Sequence, residues 1–157
     1  MLVVARSMQA YFREALLAAL RQSDLVITEP AQVYMIHLLN EFSRSEVAFA
    51  GLDHGHKPNL VDMLERASLA DDREALRIFR HLGDTSLYLL GFFKESNKGR
   101  LVSETYYRDM GSSAYSCASD LSRLYAAQNA AIFQELAENF GAMVTILEYV
   151  AHYNKNQ

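Results

Sequence analysis

Three predicted helices of this 157-residue chain each carry a histidine and a carboxylate at helical spacing. The pairs are His37 with Glu41, His81 with Asp84, and Glu148 with His152. Residues three or four apart lie on one face of a helix, so each pair could present two ligands together. Helical bundles bind metal ions when several helices project such residues inward. These six side chains are therefore the candidate metal ligands of the sequence.

The predicted direction of these pairs argues against a metal site. The first pair shares a helical face with Tyr34 and Arg44, and the third lies opposite the apolar stripe of its helix. The second pair shares the one polar strip of its helix with Arg77 and Tyr88. We therefore expect all three pairs to face water or a partner, and we predict no cofactor.

The remaining reactive side chains also favour structural roles. His54 and His56 flank Gly55 in a polar loop, but two ligands are too few for a tight zinc site. Cys117, the only cysteine, lies among small apolar residues, where a buried and inert thiol is expected. The chain contains no GxSxG motif, no HExxH motif and no glycine-rich phosphate loop. The sequence thus predicts no catalytic residues.

Tyrosine content points to a different kind of site. The chain has nine tyrosines and no tryptophan, and tyrosine is enriched at protein interfaces. Amphipathic packing at the rim of the core would explain the same composition. The candidate partner-binding residues are Tyr88, Tyr106, Tyr115, Tyr149 and Tyr153.

Composition narrows the class of protein. Hydrophobic residues make up 50% and charged residues 22%, which is typical of a globular chain. The net charge of −4, with no local basic run, argues against nucleic-acid binding. No window reaches about 18 uncharged apolar residues, so we expect no membrane span. Arg6, Arg13 and Glu14 interrupt the apolar N-terminus, so we expect no signal peptide and a cytoplasmic location.

Apolar residues recur along most of the chain at helical spacing. Predicted helices cover about residues 6–22, 28–49, 58–68, 72–96, 103–127 and 129–153. Short connections favour antiparallel neighbours. The sequence therefore predicts an all-α, single-domain bundle of five or six mostly antiparallel helices over residues 1–153, with a frayed tail at 154–157.

The helix predicted at about 72–96 is apolar on both flanks, which favours a central position in the bundle. Its Gly83 and Gly91 are expected to pack closely against Gly111, Ala114 and Ala118 of the fifth predicted helix. The space that missing side chains leave beside Gly83 and Gly111 is also a candidate cavity for an apolar ligand.

These observations favour a noncatalytic cytoplasmic protein that acts by protein–protein binding, with a homodimer as one form. The sequence favours an interface because it combines many tyrosines with a surplus of apolar helix faces. The alternative is a helical bundle that binds a metal ion or a small ligand, as a sensor or an enzyme.

Overall fold

The computed structural model describes residues 2–44, 60–92 and 104–153, with side chains from residue 8 onward. Within these ranges the chain is helical and contains no strand. Its helices are α1 (Leu2–Ser23), α2 (Glu29–Arg44), α3 (Leu60–Leu69), α4 (Asp72–Gly91), α5 (Glu104–Tyr125), α6 (Ala127–Glu138) and α7 (Phe140–Ala151). They pack as a bundle, which confirms the predicted all-α class. None of these helices combines the length and the apolarity needed to cross a membrane.

Some predicted segments lie outside the described residues. They are the polar loop with His54 and His56, the tail at 154–157, and the parts of four predicted helices at 45–49, 58–59, 93–96 and 103.

Helix α4 packs against α2, α3, α5 and α7. It begins after Asp71, whose carboxylate accepts a hydrogen bond from the Glu74 backbone N–H at 2.9 Å, as expected of an N-cap residue. From Leu82 to Gly91 every residue is buried except Asp84 and Leu89, which are partly exposed. This half of α4 therefore carries one ionisable carboxyl into a densely packed part of the bundle.

Glycines let three helices approach closely. A Cβ added at Gly83 would lie 2.7 Å from the Tyr115 ring of α5, as the predicted contact between these helices requires. A Cβ added at Gly91 would instead meet Leu147 of α7 at 2.5 Å. Gly111 of α5 faces Ser86 of α4 and the Phe140 ring of α7. The space beside Gly83 and Gly111 is thus filled by aromatic rings, and the apolar cavity predicted there does not form.

The single helix predicted at 129–153 is wrong, because the structure divides it at Asn139 into α6 and α7. Asn139 has φ −114° and ψ 25°, and its side-chain amide donates to the Glu135 backbone carbonyl at 3.0 Å. Asparagine side chains compete in this way with backbone hydrogen bonds and interrupt helices. The change of direction leaves both Leu136 and Phe140 in the core.

A carboxylate from α6 holds the start of α2. Glu135 Oε2 accepts a hydrogen bond from the Thr28 backbone N–H at 2.9 Å, and its Oε1 accepts one from the Thr28 hydroxyl at 2.6 Å. The Thr28 backbone carbonyl in turn accepts the Gln32 N–H at 3.0 Å. A negative charge here also complements the positive end of the α2 dipole.

Replacing Glu135 with alanine is therefore expected to lower the free energy of unfolding by about 1–2 kcal/mol, because two hydrogen bonds to a charged group are lost. Urea denaturation at neutral pH measures this change. The matched control is Glu138→Ala on the same helix, whose exposed carboxylate accepts a hydrogen bond from the neighbouring Gln134 side chain at 2.9 Å. Equal effects of the two substitutions would contradict a special role for the Thr28–Glu135 contact.

Candidate functional site

An apolar groove of about 320 Å³ opens between α3, α4 and α5. Aliphatic, aromatic and sulfur-containing side chains form most of its wall, and Asp109 is the only lining residue that carries a charge at neutral pH. The lining residues are Leu64, Phe79, Tyr106, Asp109, Met110, Ser113, Ala114 and Cys117. Small-molecule sites occupy roughly 300–1,000 Å³ and are similarly apolar. The groove is therefore large enough for one apolar group.

Helix α5 buries a row of mostly small residues and leaves a neighbouring apolar row less covered. The buried row includes Gly111, Ala114 and Ala118, which were predicted to pack against α4. Met110 and Cys117 beside this row are only partly buried, and Leu124 is 70% exposed. Small residues in that row let α5 approach its neighbours.

Two serines of α5 also contact α6. Ser119 donates to the Ala130 carbonyl at 2.8 Å, and Ser112 donates to the Ala137 carbonyl at 3.0 Å. These two hydrogen bonds hold α5 against α6.

Cys117 is half-buried in this groove. Burial raises the pKa of its thiol, and the negative charge of Asp120 raises it further. Thiolate is the nucleophilic form of cysteine. A raised pKa disfavours the thiolate form of Cys117, and the thiol is only partly buried where the sequence predicted a buried one.

A polar cluster forms on the α2 side of α4. Asp84 Oδ1 accepts hydrogen bonds from the Tyr34 hydroxyl of α2 at 2.7 Å and from the Tyr115 hydroxyl of α5 at 2.6 Å. Arg80 Nε donates to the Tyr34 hydroxyl oxygen at 3.1 Å and lies 3.9 Å from Asp84 Oδ2. The Arg80 guanidinium also sits over the Tyr34 ring, 5.5 Å from its centroid.

The rings of this cluster are embedded in apolar side chains. Phe133 of α6 meets Tyr34 edge-on and stacks on Tyr115, with centroids 5.7 Å and 6.1 Å apart. Tyr115 also contacts Phe140 of α7 at 6.0 Å. One aspartate therefore sits where five helices meet.

Burial dominates the electrostatics of the cluster. It raises the pKa of Asp84 to about 6, although the hydrogen bonds from Tyr115 and Tyr34 and the charge of Arg80 act in the opposite direction. Burial and the negative charge of Asp84 raise the pKa of both Tyr34 and Tyr115. Both phenols therefore remain neutral hydrogen-bond donors at any physiological pH.

The structure does not bring the candidate metal ligands together. His37 and Glu41 are exposed on α2, and His81 is exposed on α4. Asp84 points into the bundle instead of sharing the solvent-facing strip predicted for it with His81, because Tyr34 and Tyr115 supply its hydrogen-bond donors. Within the described ranges no three histidine, cysteine or carboxylate side chains are placed to bind one metal ion.

In the third pair, Glu148 lies on α7 and His152 directly follows the helix as its C-cap, with Nδ1 2.9 Å from the Glu148 backbone carbonyl oxygen. The two side chains of this pair are both partly exposed.

The candidate partner-binding tyrosines divide into two groups. Tyr88 and Tyr115 are fully buried and Tyr153 is 7% exposed, so these three belong to the core and offer no surface. Tyr106 and Tyr149 are partly exposed, and Tyr106 lines the groove. Helical projection placed Tyr88 and Tyr115 outside the apolar stripes, but neighbouring helices cover those faces of α4 and α5 as well.

Sequence reasoning missed most of the residues in both sites. Asp84 carried a visible signal, since it is the only charge between Leu82 and Phe93. Nothing local linked it to Tyr34, which is 50 residues away in sequence. Leu64 and Phe79 gave no signal of a groove, because apolar residues at their spacing are typical of ordinary core positions.

Comparisons of this chain with models of known protein families, with curated protein sequences and with solved structures gave no match.

Proposed function

We propose that this chain is a noncatalytic cytoplasmic protein that acts by protein–protein binding. The proposed binding surface is the groove between α3, α4 and α5, and the first interaction to test is homodimer formation. The observation that carries the proposal is the groove itself, an open and largely apolar surface with one carboxylate, Asp109. Apolar grooves between helices accept the apolar face of a partner helix.

Apolar side chains next to the groove are placed to enter the groove of a second copy of the chain. Leu64 lines the groove and is 40% exposed, and Val61 precedes it by one helical turn on α3 and is 56% exposed. A two-fold interface requires one patch to be complementary to itself. Concave and projecting apolar surfaces on the same face meet that requirement.

Self-association should respond to a charge placed in the groove. Replacing Ser113, an exposed lining residue, with glutamate is expected to weaken dimerisation at least about tenfold, since the new carboxylate would be buried without a partner. Sedimentation equilibrium over a range of protein concentrations measures the dissociation constant.

The control variant is Ser116→Glu, also at an exposed position of α5 but outside the groove. The pair is matched electrostatically: residue 113 is four positions from Asp109, and residue 116 is four positions from Asp120. A wild-type chain that remains monomeric would overturn the homodimer. Equal weakening by both variants would overturn the groove as its interface.

The volume of the groove also favours a second candidate function, the binding of a small apolar ligand. An environment-sensitive naphthalene sulfonate dye serves as the probe. A monomeric chain that binds one dye molecule, with binding lost in Ser113→Glu and kept in Ser116→Glu, would favour this alternative. A dimer that excludes the dye supports the protein interface.

A further inference from the structure

Asp84 is a largely buried carboxyl group whose ion pair with Arg80 is long and exposed to water. Its side chain is 13% exposed, and the nearest guanidinium nitrogen, Arg80 Nε, lies 3.9 Å from Oδ2. The Arg80 side chain is 59% exposed, so water screens its charge. Neutral phenols supply both short hydrogen bonds to Asp84. An ionised carboxylate in such surroundings is poorly stabilised compared with one in water.

The packed helices offer little other compensation. Tyr34 faces Asp84 from α2, Tyr115 faces it from α5, and Arg80 lies one turn earlier on α4. Among the described residues, α3, α6 and α7 bring no charged or titratable group to this carboxyl. Gly83, the neighbour of Asp84 in sequence, lets the Tyr115 ring approach α4 closely.

The two carboxyl oxygens of Asp84 have different hydrogen-bond partners, and this decides which of them binds an added proton. Oδ1 already accepts both phenol hydrogen bonds, so an added proton binds Oδ2. Protonation at Oδ2 therefore keeps the phenol hydrogen bonds to α2 and α5, although they are weaker to the neutral acid, and removes the attraction between Oδ2 and Arg80. The neutral acid also no longer carries the desolvation cost of a buried charge.

We propose that Asp84 is a proton-binding site, and that the proton it takes up below neutral pH releases Arg80 and stabilises the packing of α2 and α5 on α4. The site makes the bundle more stable in mild acid, the reverse of what a salt-bridged aspartate does. This proposal does not depend on the groove.

The direction in which stability changes with pH follows from proton linkage. The pKa of Asp84 is about 6 in the folded chain, against a reference value of 3.8. The folded chain therefore binds a proton in an interval of pH where the unfolded chain does not. The stability that protonated Asp84 contributes is fully present below the reference pKa of 3.8 and is lost as the pH rises through about 6.

Asp84→Asn tests this sign, because an amide keeps the shape of the acid and an oxygen for both phenols but cannot ionise. The folding equilibrium constants of wild type and variant are measured by urea denaturation at pH 7.5 and pH 5. Between pH 7.5 and pH 5 the folding equilibrium constant of the wild type is expected to rise by a factor about ten times larger than that of the variant. Titration of the other residues cancels in this comparison.

The matched control is Asp120→Asn, since the Asp120 side chain is 67% exposed and pairs with Arg123. This variant should show the same pH dependence as wild type. If Asp84→Asn also follows wild type, the proposal is overturned.

Carbon-13 NMR of the wild-type Asp84 carboxyl gives a second test that needs no variant to fold. A titration midpoint near pH 6, shared by the ring signals of Tyr34 and Tyr115, supports the proposal. A midpoint near pH 4, the ordinary value for an exposed aspartate, overturns it.

Discussion

Replacing Gly111 with alanine is expected to lower the free energy of unfolding by about 2–3 kcal/mol. The added Cβ would overlap the Phe140 ring and lie 2.9 Å from the Ser86 Cβ. Phe140 is 2% exposed and packs against Tyr115, so its ring has no free space to enter. Overpacking of a dense core costs roughly 1–3 kcal/mol or more, which exceeds the gain of about 1 kcal/mol from replacing a helical glycine.

Thermal denaturation measures the effect of Gly111→Ala. A chain of this size should lose about 4–12 °C in Tm, at about 2–4 °C per kcal/mol. Gly141→Ala is the matched control, because a Cβ at Gly141 meets nothing within 4 Å. That variant should be unchanged or more stable by up to about 1 kcal/mol. A stabilised Gly111→Ala variant would show that α4, α5 and α7 do not meet at residue 111.

The Tyr115→Phe variant is expected to lose about 1.5–3 kcal/mol of unfolding free energy at pH 7.5. The substitution keeps the fully buried ring but removes the hydroxyl that donates to Asp84 Oδ1 at 2.6 Å. Hydrogen bonds to charged groups contribute roughly this much. Because this bond lowers the pKa of Asp84, its loss should also move the Asp84 titration to higher pH. The energetic cost should therefore shrink as Asp84 becomes protonated at pH 5.

Urea denaturation at both pH values tests this prediction. The control is Tyr125→Phe, since Tyr125 is 48% exposed and phenylalanine keeps the ring over which the Arg73 guanidinium lies at 5.5 Å. Exposed substitutions of this kind change stability by about 0.5 kcal/mol or less. If Tyr115→Phe is as harmless as Tyr125→Phe, the phenol–carboxylate bond adds nothing to stability.

The amino-acid sequence by itself determined the features of this protein that depend on neighbouring residues. Helical periodicity predicted the all-α class. The N-cap contact of α4 is similarly local, because the Glu74 N–H that donates to Asp71 is only three residues away. The burial of the apolar half of α4 was also predictable, because a helix that is apolar almost all round must be covered by other parts of the protein. Such signals are local, so one stretch of sequence contains them.

The tertiary structure alone decided which polar groups are buried and which apolar ones are exposed. Asp84 is buried because Tyr34 and Tyr115, from two other helices, bring hydroxyls to one of its oxygens. Met110 lines a groove because the residues of α5 that neighbouring helices cover lie mostly to one side of it, at Gly111, Tyr115 and Ala118. The energy of a polar or small side chain depends on what another helix places against it. That partner cannot be read from spacing along one helix, since it is set only when the helices pack.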